Sequence, residues 1–160
     1  MTDPWISLYA APAAVGFALT FNVRSRAPLP IAVLAVIAHL LRSLLEGQGM
    51  SLVGASFAAA LVIGAAAYVL GPATGEASPV YSFAPVIPLV PGSLLFSGLE
   101  GLAVLITERV PAEPAPFAIG ALQDLLTAAA VVLALALGST APSLLRLRAR
   151  RSVPEGAGER

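Results

Sequence analysis

Four ionisable side chains lie inside long apolar stretches of this sequence: His39, Arg42, Glu100 and Asp124. Such groups are costly in an apolar environment and usually face a bundle interior or a water-filled cavity. His39 and Arg42 are three residues apart, so a helix places both side chains on one face. The imidazole can exchange a proton near neutral pH, whereas the guanidinium stays charged. These residue types suit a proton relay or an anion site.

A proline-rich segment is the second feature that could do chemistry. Pro85, Pro88 and Pro91 recur at intervals of three, and Gly92 and Ser93 follow them. Each proline removes a backbone donor and clashes with the carbonyl four residues earlier, so the segment should break a helix. Carbonyls freed in this way need cover from protein or from a water-filled cavity.

A broken helix also creates a binding opportunity. The N-terminus of its second half, for which Ser93 is suited as N-cap, attracts a carboxylate, and the unwound carbonyls suit cations. We therefore expect Pro88, Pro91, Gly92 and Ser93, together with Arg42, to form a substrate site. Pro85 would shape the helix. The alternative is a kinked helix that only packs around a neighbour.

The composition indicates what surrounds these residues. Of 160 residues, 58% are hydrophobic and 11% are charged, whereas soluble domains carry about 25% charged residues. A soluble chain of this length could not hide so much apolar surface in one core. The sequence therefore predicts an all-α integral membrane protein in contact with a lipid bilayer.

Crossing the hydrocarbon core takes about 20 mostly apolar residues. Five stretches meet this length, and the fourth contains the proline-rich segment. We expect about five transmembrane helices, the fourth of them broken, within one transmembrane unit over residues 1–151. The predicted helices span approximately residues 6–23, 29–45, 52–70, 80–106 and 117–145.

Arginine placement predicts the orientation of these helices. Arg24 and Arg26 follow the first stretch, and a cluster of arginines begins at Arg146 after the fifth. With five spans both clusters lie on one side, which the positive-inside rule makes cytoplasmic. The N-terminus is then outside and the C-terminus inside, with residues 152–160 as a disordered cytoplasmic tail.

In this topology, His39, Arg42, Glu100 and Asp124 fall in one layer, roughly 4–10 Å from the outer end of their helices. Other interpretations stay open for each. Arg42 could snorkel to the outer interface, and His39 could be a hydrogen-bonded packing residue. Glu100 and Asp124 could pair with groups of a partner chain.

The remaining polar and small residues favour structural roles. Asn22, at the inner end of the first stretch, could cap a helix or hydrogen-bond to another one. The third and fifth stretches are rich in glycine and alanine. Small residues let helices approach closely in lipid, where no hydrophobic force drives their association.

The sequence lacks the residues that several classes of function require. The chain has no cysteine, one histidine and no glycine-rich phosphate loop. We therefore expect no metal site, no cofactor and no enzymatic activity. The formal net charge of zero gives no reason to expect a nucleic-acid partner.

The chain resembles the small-subunit (YjjB-like) half of the threonine/serine exporter family. The element Pro88-Leu-Val-Pro91-Gly92 is the most specific part of this resemblance, which extends from about residue 8 to residue 151. Glu100 lies outside the matching pieces, and Asp124 stands where other members can carry an uncharged amide. The pieces that match are residues 14–18, 21–23 and 86–92, His39 with Arg42, and residues 126–128.

The resemblance implies a subunit of a secondary transporter in a bacterial inner membrane. It would export threonine and serine, or a dicarboxylate such as succinate, together with a larger membrane subunit of the same family. A homo-oligomer is also conceivable. Proton coupling through His39, Glu100 and Asp124 is expected, since no nucleotide motif is present. The alternatives are a non-transporting scaffold subunit and a passive channel.

Overall fold

In a computed structural model, residues 4–21, 23, 27–75, 77–107 and 114–151 are described. These residues form helices and short turns, with no strand among them. A 3₁₀ helix, Pro4–Tyr9, leads into the first α-helix, and a second 3₁₀ turn, Ile87–Leu89, separates the fourth from the fifth. The α-helices are α1 Ala10–Thr20, α2 Pro28–Gly47, α3 Leu52–Thr74, α4 Ser78–Val86, α5 Gly92–Ile106 and α6 Pro114–Arg151.

Local sequence explains where several helices begin and end. Pro28 opens α2 in the first turn, where a missing N–H does no harm. Ser51 caps α3, because its Oγ accepts a hydrogen bond from the Gly54 amide at 3.2 Å. Gly75, with φ +70°, ends α3 in the left-handed conformation that glycine adopts without strain.

The helices agree with an all-α membrane protein. α2, α3 and α6 are each long and apolar enough to cross a bilayer, and residues 78–89 and 92–106 together form a bent pair, at 54°, with the length and composition of a broken span or a re-entrant loop. The predicted break in the fourth helix is confirmed. The apolar helix Trp5–Thr20 is shorter than these three, so the five-span topology stays a prediction. α6 has 38 residues, or about 57 Å of helix, and therefore extends beyond the hydrocarbon core.

The centre of the bundle is α3, which packs against α2, α4 and α6. Its crossing with α6 depends on two glycines. A Cβ on Gly64 would lie 2.4 Å from the carbonyl oxygen of Ser139, and one on Gly138 would lie 2.7 Å from that of Phe57. The small residues therefore do let these helices approach closely, as the sequence predicts.

The second half of the broken span occupies the periphery. α5 packs mainly against α6, through Gly98 and Gly101, where an added Cβ would lie 2.6 Å from side-chain atoms of α6. Its other face leaves Phe96, Leu99 and Ile106 exposed. This face suits lipid or another membrane helix.

Some sequence predictions fall outside the described residues. Asn22, Arg24, Arg26 and the tail 152–160 are among them.

Candidate substrate site at the helix break

The break between α4 and α5 follows directly from the prolines. α4 ends at Val86, the 3₁₀ turn Ile87–Leu89 follows, and Val90 is extended with φ −64° and ψ 129°. The Val90 amide donates to the Ile87 carbonyl at 3.0 Å, and the Gly92 amide donates to the Val90 carbonyl at 2.9 Å. The helical hydrogen-bond ladder is therefore interrupted in the middle of the span.

Arg42 contacts this break directly. Its Nη1 donates a hydrogen bond of 2.7 Å to the carbonyl oxygen of Leu89, a fully buried residue. The Arg42 side chain is only 17% exposed. Arg42 therefore points into the bundle and does not snorkel to the outer interface, which removes one alternative left open by the sequence.

Glu46 holds the same guanidinium from the other side. Its Oε1 lies 3.1 Å from Arg42 Nε, and this oxygen is buried without a well-aligned hydrogen bond. The distance supports an ion pair, although the geometry of the two groups is not that of a hydrogen bond. The sequence predicts Glu46 in the loop after the second span, but it belongs to the last turn of α2, where its side chain faces Arg42.

The start of α5 differs in one respect from the sequence prediction. Ser93 is not the N-cap, because Pro91 occupies that position and α5 begins at Gly92. Ser93 is exposed in the first turn. Its amide and that of Leu94 have no carbonyl four residues earlier within α5, and among the described residues no other backbone acceptor is found. The anion-attracting end predicted for this half-helix is thus present without a serine cap.

The prolines and the glycine of the proline-rich segment lie in or beside the break between α4 and α5. Pro85 and Pro91 are buried, and Pro88 is half-buried. A Cβ added to Gly92 would meet nothing within 4 Å, so packing does not require glycine at this position.

His39 has a different partner. Its Nδ1 lies 3.0 Å from the Oγ of Ser7, which is itself buried. This hydrogen bond joins α2 to the N-terminal 3₁₀ helix. It agrees with a packing role, and proton coupling through His39 stays a prediction.

The two acids lie elsewhere in the bundle. The Oγ of Ser97 donates to Asp124 Oδ2 at 2.5 Å, joining α5 to α6. Glu100 is exposed on α5. Among the described residues, no hydrogen bond or ion pair connects His39 or Arg42 with Glu100 or Asp124. His39 and Arg42 thus have partners in the 3₁₀ helix, in α2 and at the break, whereas Asp124 has its partner on α5, and the common depth of the four groups stays a prediction.

Three residues of this arrangement escaped the sequence interpretation: Ser7, Glu46 and Ser97. The spacing of four between Arg42 and Glu46 could have revealed that pair, because residues four apart share a helix face. Ser7 and Ser97 are 32 and 27 residues from their partners. No local pattern signals such contacts.

The sequence of the chain matches a known protein family. No solved structure matches the chain. The family model for the threonine/serine exporter, ThrE, matches residues 7–145, a range that contains His39, Arg42, the whole helix break and Asp124. With its broken apolar span and its buried guanidinium, this multi-pass membrane protein belongs to the threonine/serine exporter family.

Proposed function

We propose that this chain is the small subunit of a secondary transporter that exports threonine and serine, with a larger membrane subunit of the same family. The observation that carries the proposal is the hydrogen bond from Arg42 to the Leu89 carbonyl at the break. A guanidinium inside a membrane bundle is costly and usually marks a functional site. Here it stands where a transporter would bind a carboxylate.

Arg42 is the group that recognises the substrate carboxylate. Its planar fork carries five donors, so it can keep its bond to Leu89 while it exchanges the Glu46 carboxylate for another. The ion pair with Glu46 at 3.1 Å then represents the empty state. Substrate arrival frees Glu46, and departure restores the ion pair.

The break adds a second attraction for the same carboxylate. The first amides of α5, at Ser93 and Leu94, carry the partial positive charge of a helix N-terminus. Pro88, Pro91 and Gly92 shape the backbone that presents them. Because Arg42 is bonded to this segment, a change at its guanidinium can alter the bend between α4 and α5.

Proton coupling is assigned to His39 and Asp124, with Glu100 as a third candidate. Ser7 and Ser97 hold the first two side chains in place. Glu100 is exposed on α5 and would need a group from the larger subunit. The exposed apolar face of α5, with Phe96, Leu99 and Ile106, is the surface that we assign to that subunit. A homo-oligomer would use the same face.

The orientation follows from arginine placement. The N-terminus is outside and the C-terminus is cytoplasmic, in a bacterial inner membrane. Arg42 and Glu46 then lie near the outer end of α2, whereas the ends of α3 and α6 next to the start of α4 lie towards the cytoplasm.

Efflux measurements test this function. Cells expressing this chain with and without a candidate larger subunit are loaded with labelled threonine, serine and succinate. Efflux of threonine or serine against a gradient, only with both chains, is expected. Efflux of succinate alone would indicate that the substrates are dicarboxylates and not threonine and serine. Absence of all three, with both chains assembled, would favour the scaffold alternative, and export that never exceeds equilibrium would favour a channel.

A further inference from the structure

A cavity of about 530 Å³ lies between α3, α4 and α6, and none of the residues assigned to the carboxylate site lines it. Gly64 and Ala67 of α3 contribute to its wall, and it extends to Ile87 and Val90 of the break. The volume is within the range of small-molecule sites. This cavity therefore meets the carboxylate site at the break, from the side of α6.

The cavity walls are mainly apolar but carry a group of hydroxyls. Ser78 and Ser82 belong to α4, Tyr68 belongs to α3, and Ser139, Thr140 and Ser143 follow one another along α6. No lining residue carries a charge. The polar character of the cavity therefore comes from hydroxyls alone.

Four of these hydroxyls, those of Ser82, Ser139, Thr140 and Ser143, are oriented as acceptors. Each donates its proton to a carbonyl of its own helix: Ser82 to Pro79 at 3.3 Å, Ser139 and Thr140 to Ala136 at 3.2 and 2.7 Å, and Ser143 to Thr140 at 2.7 Å. A hydroxyl that has donated its proton keeps lone pairs for another donor. The cavity thus offers acceptors to a ligand rich in N–H and O–H groups.

We propose that this cavity binds the ammonium and side-chain end of a small zwitterionic hydroxy amino acid before the carboxylate reaches the break. The inference rests on the proposed function and assigns it an additional site. A dicarboxylate fits less well, because its second carboxylate needs hydrogen-bond donors and these hydroxyls already donate to helix carbonyls, whereas an ammonium group can donate to them. The α5 N-terminus begins two residues after Val90 and can attract only one carboxylate.

The position of the cavity suits the direction of export. It lies beside Ser78 at the start of α4 and Ser143 near the C-terminal end of α6. The arginine cluster that follows Ser143 marks the cytoplasmic side. A solute arriving from the cytoplasm would meet the cavity first and Arg42 afterwards.

The absence of cysteine from the sequence allows a direct test. A Ser139→Cys variant, expressed with the larger subunit, is exposed in inverted vesicles to a small water-soluble thiol reagent. We expect labelling that threonine slows at least tenfold at saturation and that succinate leaves unchanged. The matched control is Leu144→Cys, beside Ser143 at the end of the apolar span, 56% exposed and outside the cavity, whose labelling threonine should not affect.

Efflux by the same variant separates the two proposals. Working efflux with no protection by threonine would overturn the cavity site while the transport function stands. Protection without efflux would support the site and count against the function. Equal protection by succinate would overturn the ligand class. If Ser139→Cys does not fold, Ser143→Cys, which lines the same cavity and is exposed, gives the same readout.

Discussion

The guanidinium of Arg42 and the carbonyl of Leu89 are 47 residues apart in the chain and 2.7 Å apart in the structure. Arg42 belongs to an unbroken helix and Leu89 to the turn that interrupts another. A charged donor on a buried carbonyl contributes about 1.5–3 kcal/mol. The pair therefore links the position of the broken helix to whatever binds the arginine.

Loss of the Arg42 charge tests this link. We expect Arg42→Gln to lower threonine export by roughly 10- to 100-fold, which corresponds to the energy of one charge-assisted hydrogen bond. The measurement is initial efflux rate, normalised to the amount of chain in the membrane. Full-rate export with normal assembly would contradict the assignment of Arg42 to the substrate.

Removal of the Glu46 charge should have the opposite effect on substrate affinity. Glu46→Gln keeps the shape of the side chain but no longer competes for Arg42, so the KM for export should fall several-fold. Gln48→Ala is the control, because Gln48 is exposed two residues after Glu46 and has no assigned role in transport. A higher KM in Glu46→Gln would instead indicate that Glu46 binds the ammonium group of the substrate.

His39 can be tested against its hydrogen-bond partner. We expect His39→Gln to abolish uphill export while downhill movement continues, because glutamine can bond to Ser7 but cannot carry a proton. Ser7→Ala removes only the hydrogen bond and should slow export modestly. Equal losses in both variants would indicate that His39 is a packing residue.

Asp124 allows a similar comparison on α6. Asp124→Asn can still accept the hydrogen bond from Ser97, but it carries no proton. We expect reduced uphill export and unchanged association of α5 with α6, measured by crosslinking between the two helices. Uphill export at the normal rate would remove Asp124 from proton coupling and leave it a structural role.

The crossing of α3 and α6 should tolerate no larger residue. Gly64→Ala would place a methyl group 2.4 Å from the Ser139 carbonyl, and overpacking of this kind destabilises by about 1–3 kcal/mol. Gly16→Ala is the control, since a Cβ there meets nothing within 4 Å. Thermal denaturation in detergent should show a lower Tm for the first variant only.

Several features could be predicted because they depend on the local chain. Pro85, Pro88 and Pro91 break a helix wherever it lies, because each removes a donor and clashes with the preceding turn. The apolar length of a stretch likewise predicts a spanning helix, because about 20 mostly apolar residues are needed to cross the hydrocarbon core. Ser93 shows the limit of such reasoning, since α5 begins two residues earlier than a Ser93 cap requires, at Gly92, and its N-cap is Pro91.

The sequence by itself determined the class of protein, the broken span and the ionisable residues within the apolar stretches. Only the tertiary structure decided their partners: Ser7 for His39, Leu89 for Arg42 and Ser97 for Asp124. The physical reason is that the hydropathy of a segment indicates which residues lie within the membrane. The packing of the helices against one another decides which of their faces are in contact.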